Sequence, residues 1–294
     1  MSYRKLYLQD TGRILKLVEK DRPIGRVFGV PFDITSTYRP GSKFAPNTIR
    51  NAFNNIEIYS RFFNIDLEKE FIEDLGDMMV PYNVEECLMQ VSKVCQELVE
   101  EGVTFCMLGG EHTISYGSIE VLPKDVGIMI FDAHLDLRNE MNGSKFTHAT
   151  FFRRLLEKME KDRFLHLGAR AACAEEWKFA EEEKLNLVEA PKFDAKTILE
   201  NQFFKKYRRI YISIDMDFFD PAYAPGVGNP EPDGLSPKNF FKLLTNLPDI
   251  EVIGYDIVEV CPPYDNGNTS ILAAKLMLEI FAYTKKVKSK GNQP

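Results

Sequence analysis

In FDAHLDLR, Asp132, His134 and Asp136 occupy alternate positions directly after the apolar run GIMIF (127–131). A second acidic pair, Asp215 and Asp217, follows the apolar run RIYISI (209–214), with Asp220 close behind. In an extended chain, alternate residues project to one side, so each pair presents its groups together. A third apolar run ends in LGGEHT, where Gly109 and Gly110 let the backbone turn tightly ahead of His112. One carboxylate at a strand end is usually a turn or helix cap, and a lone histidine is usually just hydrogen-bonded. A cluster is different, because unpaired carboxylates repel and call for a compensating cation. Asp132, Asp136, Asp215, Asp217, His112 and His134 fit two divalent ions that share bridging carboxylates. With no cysteine in these motifs, the oxygen and nitrogen donors suit manganese better than structural zinc. Two such ions, roughly 3.5–4 Å apart, would lower the pKa of a shared water toward neutrality, which is hydrolytic chemistry.

These groups need strand ends to hold them. Candidate strands are 26–30, 104–108, 127–131, 163–168, 209–214 and 251–257. Between them lie amphipathic segments such as VEECLMQVSKVCQELVEEG, with apolar residues at helical spacing and a glycine stop at Gly102. Ser236-Pro237 and Asn268 or Thr269 read as helix starts. Alternating strands and helices predict a parallel sheet covered on both faces, with ligands beyond the carboxyl ends of the strands. No repeat or low-complexity linker interrupts residues 1–284, which read as a single domain. The lysine-rich segment 285–294 reads as a flexible basic tail.

The bulk composition is that of a protein with a sizeable core: 294 residues, 44% hydrophobic and 28% charged. A net charge of −7, without a basic block ahead of the tail, argues against a nucleic-acid partner. The five cysteines are scattered without a CxxC pair, and read as reduced, inert thiols of a cytoplasmic protein. No stretch reads as a signal peptide or membrane span. His166, Trp177 and the phenylalanine-rich helices read as packing residues.

GGEHT, FDAHLD and SIDMDFFDPAYAPGVGNPEPDGLS resemble the three signatures of the ureohydrolases, the arginases, agmatinases and their relatives. GVPFDITSTYRPGSKFAPNTIR and GYDIVEVCPPYD extend the likeness over residues 26 to 282, and DIVEV, PPYD and DPAYAPG look most like agmatinase. The resemblance implies a three-layer α-β-α sandwich with a mostly parallel eight-stranded sheet, two manganese ions and a homo-oligomer, trimer or hexamer. It implies that His112, Asp132, Asp136 and Asp215 bind one ion. Asp132, His134, Asp215 and Asp217 would bind the other. His148, in FTHATFFRR, matches the family's active-site histidine, a proton shuttle, and Glu259 matches the residue that holds the guanidinium. A carboxylate can grip that planar, permanently charged fork through two hydrogen bonds. Asp136 would take the proton released on attack.

The implied reaction converts agmatine and water to putrescine and urea, on the route to polyamines. Asn139 and Glu140, in the loop LRNEMNGSKFT, are expected to face the far end of the substrate, with Glu140 suited to a second cationic amine. Arg138 and Lys145 keep a carboxylate-bearing substrate open: arginine, guanidinobutyrate or formiminoglutamate. Glu111 stands where many members have Asp. Val227, Asn229 and Asp233 also depart from the pattern, in a substrate-facing loop. Arg170 matches a recurrent arginine and is expected to make a structural ion pair or a subunit contact. Deacetylases of the same broad fold retain one metal and would lack His134. A non-catalytic metal-binding scaffold would have lost ligands, and here every one is present.

Overall fold

The structure, a computed structural model, describes residues 2–291 apart from 12, 15–17 and 19. Its strands, in chain order, are β1 (Leu8–Gln9), β2 (Gly25–Val30), β3 (Tyr59–Ser60), β4 (Ile65–Asp66) and β5 (Ile72–Met78). They continue with β6 (Phe105–Gly109), β7 (Val126–Phe131), β8 (Phe164–Ala169), β9 (Leu187–Glu189), β10 (Arg209–Asp215) and β11 (Glu251–Val258). β3 and β4 form a small separate hairpin. The other strands make one sheet in the order β1-β5-β2-β6-β11-β10-β7-β8-β9. All its pairings are parallel except β1 with β5. The sheet therefore has nine strands where eight are expected, and one of them is a two-residue antiparallel edge.

Alternate residues of each central strand enter opposite layers, as the twofold pleat requires. Cys106, Leu108, Met129, Phe131, Ile212 and Ile214 pack in one apolar cluster with helices Ala45–Phe53, Pro237–Asn246 and Asn268–Gly291. Phe105, Met107, Ile128, Ile130 and Tyr211 pack in the other with Val84–Glu101, Phe151–Leu156 and Ala174–Glu182. Local signals set the helix ends. Asn83 caps Glu86 N–H, Gly102 ends the same helix at φ 67°, and Ser236 caps a helix whose first residue is Pro237.

Two segments differ from expectation. β5, IEDLGDM, is too acidic to read as a buried strand. Its Asp74 and Asp77 are neutralised by the buried Arg50, whose Nε lies 2.7 Å from Asp74 and whose Nη1 lies 2.5 Å from Asp77. The basic tail does not begin at 285. The last helix continues to Gly291, anchored by Lys288 Nζ on Thr104 Oγ1 (3.1 Å) and Lys290 Nζ on Asp249 (2.8 Å). The end of the tail, 292–294, lies outside the described residues. Among the described residues, no helix is long and apolar enough to cross a membrane.

Candidate metal centre and active site

Four strands adjacent in the sheet, β6, β11, β10 and β7, end at one place, and each delivers chemistry there. β6 leads through Gly110 and Glu111 to His112, and β7 runs into Asp132, His134 and Asp136. β10 ends on Asp215 with Asp217 next, and β11 is followed by Glu259. Gly110 serves close packing here rather than a tight turn. A Cβ on it would lie 1.7 Å from the Phe32 carbonyl oxygen. Asp136 (φ 52°) and Glu259 (φ 62°) hold left-handed backbone that side chains with a Cβ rarely adopt. Such strain collects where function needs one orientation.

The six expected ligands converge. His112 Nδ1 lies 3.0 Å from Asp132 Oδ2, 3.2 Å from Asp215 Oδ2 and 3.5 Å from Asp136 Oδ2. His134 Nδ1 lies 2.8 Å from Asp217 Oδ2 and 3.7 Å from Asp132 Oδ1. Two candidate ligand groups result, His112–Asp132–Asp215 and Asp132–His134–Asp217, with Asp132 common to both; Asp215, expected at both ions, joins only the first, and Asp136 stands beside His112 outside either group. His112 Nδ1 and Asp132 Oδ2 are buried without a hydrogen-bond partner, which costs free energy unless something else binds them. Burial, reinforced by the neighbouring carboxylates, pushes Asp136 and Asp215 well above the ordinary carboxylate range and raises Asp132. Burial pulls His134 down, but Asp217 outweighs it and lifts the imidazole to about 9. Orphaned donors of oxygen and nitrogen type, in a nest of repelling carboxylates, fit divalent cations.

The reverse edge of His112 is also held. Its Nε2 lies 3.0 Å from Ser213 Oγ, which donates to Asp256 Oδ1 at 2.7 Å. Tyr211 Oη donates to Asp256 Oδ2 at 2.8 Å. Sequence reading missed Ser213 and Asp256. The available signal was a serine and an aspartate inside otherwise apolar strands, since buried polar groups need partners.

A cavity of about 350 Å³ opens over the candidate metal ligands, and His148, Glu259, Thr37, Arg138 and Asn229 are in its wall. Glu259 is buried, and its Oε1 accepts the His112 backbone N–H at 2.8 Å. Burial and then the charge of Glu111 raise its carboxyl well above the usual range, a site suited to a cationic partner. His148 is kept neutral, its pKa lowered to about 4 by burial and by the two other imidazoles. Asn139 and Glu140 do not reach this cavity. Both are exposed, and Asn139 Oδ1 accepts from Arg154 Nη2 at 3.2 Å. Lys145 also stays outside, whereas Arg138 reaches the wall. Cys173 lines the cavity too, unlike the buried Cys87, Cys95, Cys106 and Cys261, whose thiols burial pushes up.

Arg170 makes no ion pair among the described contacts. It instead donates to five carbonyl oxygens, including Asp217 O (2.7 Å), Glu231 O (2.8 Å) and Pro232 O (3.0 Å). It thereby ties the second metal motif to the loop that carries Asn229.

The fold and the site have known counterparts. The sequence profile of the arginase family matches residues 25–282. The crystal structure of agmatine ureohydrolase of Thermoplasma volcanium superposes with a TM-score of 0.89 at 40% identity, covering 96% of this chain and 97% of that one. Agmatinase of Halalkalibacterium halodurans is 34% identical over 270 residues, 89% of this chain and 92% of its own. The mitochondrial guanidino acid hydrolase of Homo sapiens is 32% identical over 273 residues, 88% of this chain and 78% of its own. On this match in sequence, sheet and motif order, the chain belongs to the arginase family of hydrolases.

Proposed function

We propose that this chain hydrolyses agmatine to putrescine and urea on two manganese ions held by His112, Asp132, His134, Asp136, Asp215 and Asp217. The observation that carries this reading is the convergence of these ligands, His148 and Glu259 around one cavity, together with the likeness to proteins named agmatinase. Bound there, the ions would supply an activated water near neutral pH and Lewis acidity toward the guanidino carbon. The chain's own groups do the rest. Glu259 pairs with the guanidinium and fixes its carbon against the ligand cluster, a proximity effect. Asp136 accepts the proton released on attack. His148, a neutral imidazole at the cavity wall, relays a proton to the departing amine. A cytoplasmic homo-oligomer, trimer or hexamer, completes the proposal.

Arg138 supports a second reading. It stands in the cavity wall, exposed and 3.7 Å from Glu176, so a substrate carboxylate can share its guanidinium with that residue, and a guanidino acid hydrolase is among the relatives. Urea release from manganese-loaded protein on agmatine, arginine and 4-guanidinobutyrate separates the two. Preference for agmatine is expected, and preference for either acid moves the assignment to the second reading. Glu259→Gln should lower kcat/KM about 100-fold with both ions retained, as loss of a desolvated charged pair does. Silence on all three substrates, with two ions bound, would overturn both readings.

A further inference from the structure

His148 lies in a turn, and the segment facing it, residues 33–37, is irregular chain. What gives this pair of loops one arrangement is Glu111, a fully buried carboxylate that the ligand cluster does not use. Its Oε2 accepts Thr35 N–H at 2.7 Å and Ser36 Oγ–H at 3.3 Å. Its Oε1 accepts Thr35 Oγ1–H at 2.5 Å and Thr113 Oγ1–H at 2.6 Å. Thr35 Oγ1 in turn lies 3.1 Å from the His148 backbone N and 3.3 Å from its Nδ1. A hydroxyl has one proton, and here Glu111 takes it. The threonine oxygen is then left to accept from both His148 N–H and His148 Nδ1–H.

We propose that Thr35, fixed by Glu111, is a positioning residue that orients the His148 ring with Nδ1 protonated and turns Nε2 toward the cavity. Nε2 then accepts from Thr37 Oγ1–H at 3.2 Å, and Thr37 is in the cavity wall, so the basic nitrogen faces, through that hydroxyl, the side where a proton can be exchanged. The assignment of catalytic use rests on the role proposed for His148. The orientation of the ring is independent of that role.

Thr35→Val keeps the branched shape and removes the hydroxyl, and Thr35→Ser keeps the hydroxyl. In manganese-loaded protein, Thr35→Val should lower kcat for urea release about 100-fold, as misplacement of a reacting group does, with KM within about threefold. Thr35→Ser should recover kcat to within about threefold, and both variants should retain the wild-type metal content. Crystal structures of the two should show the His148 ring rotated away from residue 35 in the valine variant and in place in the serine variant. An unchanged kcat in Thr35→Val, equal impairment of the two variants, or a ring that stays put without the hydroxyl would each overturn the proposal. If the wild-type protein releases urea from no guanidino compound, the function fails, and the ring positions still decide the clamp.

Discussion

At the scale of single residues, most of the site's side chains are held at two ends. His112 offers Nδ1 to the ligand cluster while Nε2 is tied through Ser213 to Asp256. Partners of this kind fix ring orientation and ligand basicity, and their loss typically costs 10- to 100-fold in metal affinity. Ser213→Ala or Asp256→Asn should therefore weaken binding of the ion at His112 by about that factor, measured by titration calorimetry on metal-free protein. Affinity equal to wild type would show that the ligand cluster orients His112 unaided. The same double holding explains why Glu259 tolerates a left-handed backbone. The His112 N–H bond and burial against the cavity wall oppose a strain of about 1–3 kcal/mol.

At the scale of elements, the strand ends are set by apolar runs, and the loops after them by polar clamps. Arg170 follows β8 and binds carbonyls from two different loops at once. A guanidinium has five donors in a fixed fork and here bonds five carbonyls, whereas an ammonium has three donors. Arg170→Lys should lower kcat/KM about 10-fold and reduce the melting temperature by a few degrees, read by urea release and a thermal melt. A fully active variant would place the 231–232 loop outside the working site. The strands that sequence patterning found, β2, β6, β7, β8, β10 and β11, are mainly apolar, broken by single buried polar residues such as His166, Ser213 and Asp256. β5 escaped because its Asp74 and Asp77 pair with Arg50, 24 and 27 positions away. No local window contains that compensation.

At the scale of the whole molecule, burying four repelling aspartates under one cavity makes folding depend on what neutralises them. Ligands that bind only the folded state stabilise it, by about 2.7 kcal/mol for one site at 100-fold over Kd. Stripping divalent ions with a chelator should thus lower the melting temperature by about 5–10 °C for a domain of this size. The pH dependence has a definite sign. Asp132, Asp136 and Asp215 have folded pKa values raised above their unfolded ones, so their contribution is favourable at low pH and lost as pH rises through the folded values. The gap between loaded and stripped protein should therefore be wider at pH 7.5 than at pH 5.5. A gap independent of pH would mean that the carboxylates remain ionised without the ions.

The sequence by itself named the acidic and histidine residues that gather beyond the strand ends, and it determined much of the layering. Apolar runs of five or six residues mark the buried strands and set the acidic residues directly after them, a local signal. Extended spacing does not place Asp217, which lies in the 3-10 turn Met216–Phe218 and joins His134 rather than Asp215. The α/β class follows from the same runs alternating with helical spacing. Only the tertiary structure decided that β6, β11, β10 and β7 lie side by side, because strand order is a long-range outcome of packing and crossover connections. That order brings Glu259 over the ligands of three other strands. It also decides which loop residues face the cavity. Asn139 and Glu140 turn to solvent while Arg138, their neighbour, reaches the wall, since β7 ends at Phe131 and side-chain direction in the loop beyond it follows no period. The clamps of Glu111, Arg170 and Asp256 belong to the same class, as each joins residues far apart in the chain through a polar group, buried in Glu111 and Asp256 and half-buried in Arg170, that only the assembled sheet can satisfy.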